Sequence, residues 1–418
     1  MRSKLVALLC LLMSGSVWFY VRGVLIPHQV TDAAKLQRPR GNLSDLYPRW
    51  LGARELLLRH RDPYGPEITR EIQSGYYGRP IDPTKPNDPK DEQRFAYPVY
   101  VVFLLAPIIK LPFSTIEPVF RVFLVTLILV TAWLWMRLAQ WRPSPEIYVA
   151  ALALAVGNFP AIQGILLGQL TIVVSVILAA CLLAVVNDHL LLAGCLLAVA
   201  SIKPQLVWPL AAWLTLWTFI DWRKRQRFFW GLSLTGATLV LGGELVLPGW
   251  IGKFRAGITA YQTYTHAESV IQTLTAPTVG AIINWVVLLL IAVICWRTRK
   301  VAATSDTFVS VSALVLATTV VVVPSLSIYN HILLFPAIFV IAGNWTALWS
   351  TNVLNRLVAL IMGCSLAWPW LTSAALLGAT LFVPLGTLQK AWSVPLFSSL
   401  AIPVSVLALF GLHVRRAL

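Results

Sequence analysis

Charged residues are scarce in this chain, and acidic residues are the scarcest of them. Charged residues make up 12% of the 418 positions, with 17 Asp and Glu against 33 Lys and Arg, while hydrophobic residues make up 58%. The mean hydropathy is +0.74. This composition excludes a soluble globular domain. It predicts an all-α, polytopic integral membrane protein that forms a single membrane domain over residues 1–418.

Several motifs that carry chemistry in other proteins are also missing. The sequence has no Asp-x-Asp pair, no glycine-rich phosphate loop and no metal-binding spacing of His or Cys. Its five cysteines lie inside apolar runs, where they are expected to pack against neighbours. We therefore predict neither a cofactor nor a dedicated metal site. A divalent ion bound through a loop carboxylate stays open as an alternative.

Basic residues are spread over short loops rather than gathered on one soluble face. This distribution predicts a lipid bilayer as partner and no nucleic acid. Three short basic clusters, at 221–227, 297–300 and 413–416, belong in the cytoplasm by the positive-inside rule, as do both chain termini. The segments around residue 203, at 249–280 and at 324–331 then lie on the opposite face of the membrane.

Apolar runs predict about twelve or thirteen transmembrane helices. The first run ends at Ile26, and a long extracytoplasmic loop follows at 28–95. Further runs lie at 96–112, 118–139, 147–186, 190–220, 230–248, 281–296, 308–323, 332–347, 357–374 and 395–412. The run at 147–186 is expected to contain two half-spanning helices at 147–166, broken near Gly157-Asn-Phe-Pro160, because this break reconciles the orientations of the flanking segments.

The first extracytoplasmic loop, 28–95, holds ten of the 17 acidic residues. Within it Asp45 precedes a pattern typical of an amphipathic helix at the membrane interface, with Trp50 and Leu51 among charged residues. Asp45 is therefore our candidate reactive group, and the alternative is that it caps this helix. Tyr47 either binds a sugar or anchors the loop in the headgroup region, and anchoring is the simpler interpretation.

Asp45 is followed by a series of short motifs: Arg61-Asp-Pro-Tyr-Gly65, Phe95-Ala-Tyr-Pro-Val99, Gly168-Gln169 and Ser201-Ile-Lys-Pro-Gln205. In this order the motifs resemble glycosyltransferase family 87, which includes polyprenol-phosphate-mannose-dependent alpha-mannosyltransferases. The resemblance implies the C-type membrane glycosyltransferase fold with a long first extracytoplasmic loop. It also implies that Asp45 occupies the catalytic position.

A polyprenyl-phosphate sugar already carries a charged leaving group, so the enzyme has to supply mainly a base for the acceptor hydroxyl. Lys203, at the end of an apolar helix, is expected to hold the lipid phosphate or to snorkel to the interface. Gln169 is expected to bind substrate or to bond between helices. Asn330 and His331 flank a return into the membrane and are expected to orient substrate or to pack.

These interpretations predict a hexosyltransferase in the bacterial plasma membrane, with its active site on the extracytoplasmic face. It would move a hexose, expected to be mannose, from a polyprenyl-phosphate donor to a glycolipid or glycan acceptor, with inversion. One alternative is a flippase of lipid-linked sugars, which would be expected to show related halves and ionisable residues at mid-membrane. A second alternative is a polysaccharide polymerase or ligase that uses His266 and Glu268 of the segment 249–280.

Overall fold

The computed structural model describes residues 2–41, 44–82, 84–265, 268–324 and 327–417. All regular elements within these ranges are helices, and they contain no strand. The predicted all-α class is therefore confirmed. His266, named above for the alternative of a polymerase or ligase, lies outside the described residues.

The first span is one continuous helix that is longer than predicted. It consists of α1 (Arg2–Phe19), a π-helical turn (Tyr20–Leu25) and α2 (Ile26–Lys35). The helix continues beyond Ile26, where the apolar run ends, because Pro27 does not stop it. A local π adjustment can satisfy the backbone groups that a proline frees. The chain becomes irregular after this helix, and the predicted bounds of the extracytoplasmic loop, 28–95, stay a prediction.

Two helices form the first half of this loop: α3 (Leu46–Arg59) and α4 (Pro66–Tyr77). Helix α3 is the predicted amphipathic helix, with Trp50 buried and Leu58 exposed. Arg61 joins the two helices, because its guanidinium bonds to Glu55 of α3 at 2.8 Å and to Glu71 of α4 at 2.5 Å.

The second half of the loop is irregular but held by ion pairs. Arg79 binds the carboxylate of Asp88 at 2.5 Å, and this interaction lowers the pKa of Asp88 to about 2. In the first half of the loop, Asp62 lies between α3 and α4 and binds Lys253 at 2.9 Å, which ties the loop to a later helix.

The predicted span at 96–112 does not exist as a membrane-crossing helix. The segment holds only α5 (Val101–Leu105) and a 3-10 turn (Ala106–Ile108). Three prolines, Pro98, Pro107 and Pro112, divide this apolar run, and each restricts the helical backbone before it. Helix α6 (Phe113–Leu138) follows and is the first long helix after the loop.

The predicted break between two half-spanning helices is confirmed. Helix α7 (Pro145–Val156) and helix α8 (Phe159–Leu166) meet at a bend of 52°. Asn158 stabilises both sides of the break. Its side chain donates to the carbonyl groups of Leu154 and Ala155, and it accepts from the backbone N–H of Ala161 at 2.9 Å.

The remaining helices are α9 (Leu170–Val186), α10 (Leu190–Ala200), α11 (Pro204–Ile220), α12 (Trp222–Val246), α13 (Trp250–Thr265), α14 (Val270–Leu274), α15 (Pro277–Thr298), α16 (Asp306–Val322), α17 (Phe335–Gly343), α18 (Trp345–Trp349), α19 (Val353–Ala379), α20 (Leu385–Leu388) and α21 (Ala401–Ala417). A 3-10 segment (Ile328–Leu334) precedes α17. Helix α16 is surrounded by other elements, since its side chains are buried from Phe308 to Val322.

Six helices among the described residues are long and apolar enough to cross a membrane, or seven if the bent pair α7 and α8 is one span. Four shorter apolar helices, at 170–186, 190–200, 306–322 and 328–343, accompany them. Helices such as α15 expose apolar side chains outward, with Leu289 66% exposed. The chain is thus a multi-pass membrane protein, and the total of twelve or thirteen spans stays a prediction.

Candidate functional site

Asp45 lies immediately before α3, where the sequence left capping and chemistry open. Its side chain makes no capping hydrogen bond to the first turn of the helix. Its Oδ2 instead accepts a hydrogen bond from Nε2 of Gln169, which is 124 positions away in sequence. The carboxylate is therefore directed toward the membrane helices rather than along its own helix.

Gln169 belongs to a continuous chain of side-chain hydrogen bonds. Its Oε1 accepts from Nζ of Lys203 at 3.0 Å, and the same ammonium donates to Oγ1 of Thr171 at 2.6 Å. Thr171 in turn donates to Oδ1 of Asn330 at 3.0 Å. Three of the predicted site residues are thereby linked to Asp45.

The backbone geometry at Gly168 puts Gln169 in this position. Gly168 has a φ of +62°, and a Cβ there would lie 2.9 Å from Cβ of Leu46 and 3.1 Å from Oγ of Ser44. The turn that opens α9 therefore packs directly against the backbone that carries Asp45. The predicted Gly168-Gln169 helix start is confirmed, since α9 begins at Leu170.

Two cations lie near the carboxylate. Arg49 donates to the backbone carbonyl of Asp45, and its guanidinium stacks on the ring of Tyr97 with 4.7 Å to the ring centroid. Nζ of Lys203 lies 5.7 Å from the centroid of Tyr97 and 5.1 Å from that of Tyr329. The aromatic faces attract these partly desolvated cations.

The short motifs of the sequence meet around Tyr97. The hydroxyl of Tyr64 donates to the carbonyl of Tyr97 at 2.5 Å, which joins the Arg61–Gly65 motif to the Phe95–Val99 motif. The hydroxyl of Tyr100 donates to the carbonyl of Ser201 at 2.9 Å and so reaches the turn that carries Lys203.

Asp45 faces a cleft of about 1080 Å³ between the first loop and the helices below it. The cleft has a positively charged wall of arginines from two apolar helices and from the loop: Arg22, Arg38, Arg40 and Arg121. Oε1 of Gln163 also lines it, buried and without a hydrogen-bond partner among the described residues. The cleft can therefore accept an anionic, hydroxyl-rich ligand next to one carboxylate.

Asp91 is a second carboxylate in the same cleft. The surrounding protein raises the pKa of Asp91 by desolvation, and the negative charge of Asp45 raises it further, while bonds from Gln93 oppose the shift. In the folded protein Asp91 therefore holds its proton more tightly than an ordinary carboxylate does.

The structure separates the other predicted residues from the cleft. Tyr47 packs between Trp50 and Phe113, with ring centroids 5.8 Å and 5.0 Å away, and its role as a sugar ligand or a headgroup anchor stays a prediction. Lys203 is only 5% exposed, and among the described residues that line the cleft neither it nor Gln169 is included. Lys203 contacts protein groups in this structure, and its role toward the lipid phosphate stays a prediction.

His331 lies in a different, apolar cavity of about 390 Å³. It is buried, and its Nδ1 has no hydrogen-bond partner among the described residues. Phe159 lines both this cavity and the cleft of Asp45, so the two spaces adjoin at one aromatic side chain.

Sequence reasoning missed several residues of the site, and a signal existed for two of them. Arg22 and Arg121 lie inside apolar helices, where a charged side chain is costly and so marks a functional position. Thr171 and Gln163 gave no such signal, because uncharged polar residues are common in membrane helices as bonds between helices.

The cleft combines one carboxylate with four arginines in a helical membrane protein. Such a site is suited to substrates that carry both charge and hydroxyl groups. The family model of glycosyltransferase family 87 matches residues 95–325, more than half of the chain. The chain thus belongs to glycosyltransferase family 87 and is a membrane glycosyltransferase. No curated protein and no solved structure shows significant similarity to it.

The matched range includes three of the motifs, at 95–99, 168–169 and 201–205, together with Thr171. It begins after the first loop, so Asp45 lies outside it, as do Asn330 and His331. The link between Asp45 and the family's matched region is therefore the hydrogen bond to Gln169.

Proposed function

We propose that the protein transfers a hexose, with mannose as the expected sugar, from a polyprenyl-phosphate donor to a glycolipid or glycan acceptor. Asp45 acts as the general base, and attack in line with the leaving phosphate inverts the anomeric centre. The observation that carries this proposal is the carboxylate of Asp45, bonded to Gln169 at the edge of a cleft lined by four arginines.

The cleft supplies what this reaction needs. The phosphate leaves as an anion and requires positive charge rather than a proton, and arginine guanidinium groups bind phosphate oxygens through paired N–H donors. The acceptor hydroxyl must lose a proton during attack, and a carboxylate within hydrogen-bond reach can take it. One base is sufficient, unlike the carboxylate pair of most glycosidases.

We place the reaction on the extracytoplasmic side of the bacterial plasma membrane. Support comes from the basic clusters at 221–227 and 297–300, which favour the cytoplasm under the positive-inside rule. Residues 224 and 300 lie at the opposite ends of α12 and α15 from the loop 249–276, and Lys253 of that loop binds Asp62 of the Asp45 loop.

A flippase and a polymerase or ligase would each need polar residues in a different part of the chain. A flippase is favoured by ionisable residues at mid-membrane, whereas the cleft of Asp45 lies against the first loop. A polymerase or ligase that used the later loop would need Glu268, whose carboxylate accepts a bond of 3.5 Å from Thr273 of α14. His266 lies outside the described residues.

The proposal is tested with purified protein in liposomes that contain a radiolabelled polyprenyl-phosphate hexose and a membrane extract as acceptor source. Asp45→Asn is expected to lower the transfer rate by about 10²- to 10⁴-fold, the usual contribution of a general base. Asp188→Asn is the matched control, because Asp188 is an exposed aspartate at the end of α9, and it should transfer at the wild-type rate.

Equal transfer by Asp45→Asn and wild type would remove Asp45 as the base. Passage of the intact carrier across the bilayer without a new glycosidic bond would support the flippase.

A further inference from the structure

We propose that Lys203 is a positioning residue that acts on the carboxylate of Asp45 through the side-chain amide of Gln169. This inference rests on the proposed function, in which Asp45 is the base. It assigns to a buried lysine a task different from the usual one of a cation in a phosphate-handling enzyme.

Two of the three donors of the Lys203 ammonium group are bonded to protein side chains. Lys203 lies in the short turn between α10 and α11 and is 5% exposed. One donor reaches Oε1 of Gln169 at 3.0 Å and a second reaches Oγ1 of Thr171 at 2.6 Å. The rings of Tyr97 and Tyr329 cover the ammonium at 5.7 Å and 5.1 Å.

The chemistry of the two ends fixes the direction of the hydrogen bonds. An ionised carboxylate can only accept and an ammonium can only donate, whereas a glutamine amide has one end of each kind. Lys203 therefore takes the oxygen of Gln169 and leaves the NH₂ group for Asp45. If the amide rotated by half a turn, its oxygen would face the carboxylate, and two acceptors would meet.

The direction of the hydrogen bonds is also fixed at Thr171, the second side chain that Lys203 contacts. Thr171 accepts from Lys203, so its hydroxyl proton points to Oδ1 of Asn330 at 3.0 Å. Thr171, Asn330 and Lys203 are each buried, at 0%, 4% and 5% exposure. In a buried polar chain of this kind a change of partner leaves a donor or an acceptor unsatisfied, which restricts the side chains to one arrangement.

Gln169 bonds to Oδ2 of Asp45, which leaves Oδ1 as the oxygen that accepts the proton of the acceptor hydroxyl. Other groups also influence this carboxylate. The ionisable groups that interact electrostatically with Asp45 are Arg49, Asp91, Lys203, Tyr76, Tyr77, Tyr97, Tyr261 and Tyr329. Lys203 and Arg49 are the cations in this set, so removal of either leaves less positive charge near the carboxylate.

The central variant is Lys203→Met, which keeps the length of the side chain and removes its charge and donors. We expect kcat to fall by about 10- to 100-fold, as for other residues that orient a reactive group, while KM for the donor changes less than twofold. The acid limb of the kcat profile should move to higher pH. Lys110→Met, at an exposed lysine, is the matched control and should change neither quantity.

A second pair of variants protects the test against misfolding of Lys203→Met. Thr171→Val removes one acceptor of the ammonium at constant volume, and Thr171→Ser restores it. We expect Thr171→Val to shift the acid limb in the same direction as Lys203→Met, and Thr171→Ser to recover the wild-type profile. A defect that followed only side-chain volume would be repeated in Thr171→Ser.

A readout that does not need transfer activity separates this inference from the proposed function. Dicyclohexylcarbodiimide reacts with protonated carboxyl groups in apolar surroundings, so the pH at which Asp45 becomes half labelled reports its protonation. Mass spectrometry of the labelled peptide should show this midpoint at higher pH in Lys203→Met and in Thr171→Val than in wild type.

Two results would overturn the inference. One is an unchanged labelling midpoint in both variants. The other is a rise of more than tenfold in KM for the donor with kcat and the acid limb unchanged, the behaviour of a phosphate ligand. Absence of transfer by the wild-type protein would refute the proposed function alone, since the labelling experiment would still show whether Lys203 controls Asp45.

Discussion

At the scale of single residues, the site depends on one backbone conformation. Gly168 has a left-handed φ, and its missing side chain lets the turn before α9 touch Leu46 and Ser44 beside the catalytic candidate. Gly249 also has a positive φ, of +71°, but no atom lies within 4 Å of the position where a Cβ would be. The two glycines share their conformation and differ in their surroundings.

We predict that Gly168→Ala and Gly249→Ala both lower stability by roughly 1–2 kcal/mol, the cost of a left-handed residue with a side chain. Only Gly168→Ala should also reduce sugar transfer strongly, because the added carbon pushes Gln169 away from Asp45. Thermal unfolding in detergent and transfer assays on both variants measure the two effects separately. Similar transfer by the two variants would show that the close contact at Gly168 does not matter.

Asp91 gives a second prediction at this scale. Because its pKa is raised in the folded protein, the folded state binds a proton more tightly than the unfolded chain, and stability falls as the pH rises through that pKa. Asp91→Asn removes this loss. We expect the variant to have a higher Tm than wild type at pH 7, and the difference to close as the pH falls below about 4, the range of an ordinary aspartate. A Tm difference that is constant from pH 4 to pH 8 would contradict the assignment.

At the scale of elements, the break between α7 and α8 depends on Asn158, whose side chain bonds to backbone groups on both sides. We predict that Asn158→Ala lowers the free energy of unfolding by about 1–2 kcal/mol, the upper range for loss of a capping residue. The control is Asn187→Ala, at the exposed residue that follows α9. Equal Tm values for Asn158→Ala and wild type would mean that the two helices need no such cap.

The same elements show what a sequence can and cannot predict about this fold. The break was predictable because Gly157, Asn158 and Pro160 interrupt a continuous apolar run. Residues of these types mark the end of a helix through their own local conformation. Hydropathy was misleading at 96–112, where the composition resembles a span but three prolines prevent a long helix. The continuation of the first helix beyond Ile26 was not predicted, since Pro27 is accommodated by a π-helical turn.

The site was predictable only in part. Asp45, Gln169, Lys203 and Asn330 were selected one by one, from the rarity of charge and from the family motifs, and the structure joins them in one hydrogen-bonded chain. Their partnership could not be read from the sequence, because the contacts cross up to 159 positions and depend on helix packing. His331 was predicted as a site residue together with its neighbour Asn330. Both residues lie in a 3-10 segment, and His331 lines a different cavity from Asp45.

At the scale of the whole molecule, the proposed orientation predicts where water-soluble reagents can reach. Lys85 in the first loop and Lys300 after α15 are both exposed lysines. In a background in which the five natural cysteines are alanine, a membrane-impermeant maleimide should label Lys85→Cys in intact cells. Lys300→Cys should be labelled only after permeabilisation. The reverse pattern would place the cleft of Asp45 inside the cell and exclude the proposed extracytoplasmic reaction.

The order in which the ribosome delivers these residues has a consequence for biogenesis. The carboxylate at position 45 is synthesised well before its amide partner at 169, and the ammonium that orients the amide comes later still, at 203. A nascent chain that ended between residues 45 and 203 would contain the carboxylate of Asp45 without the amide and the ammonium that orient it. We therefore expect the protein to become active only late in translation, after the turn between α10 and α11 has left the translocon.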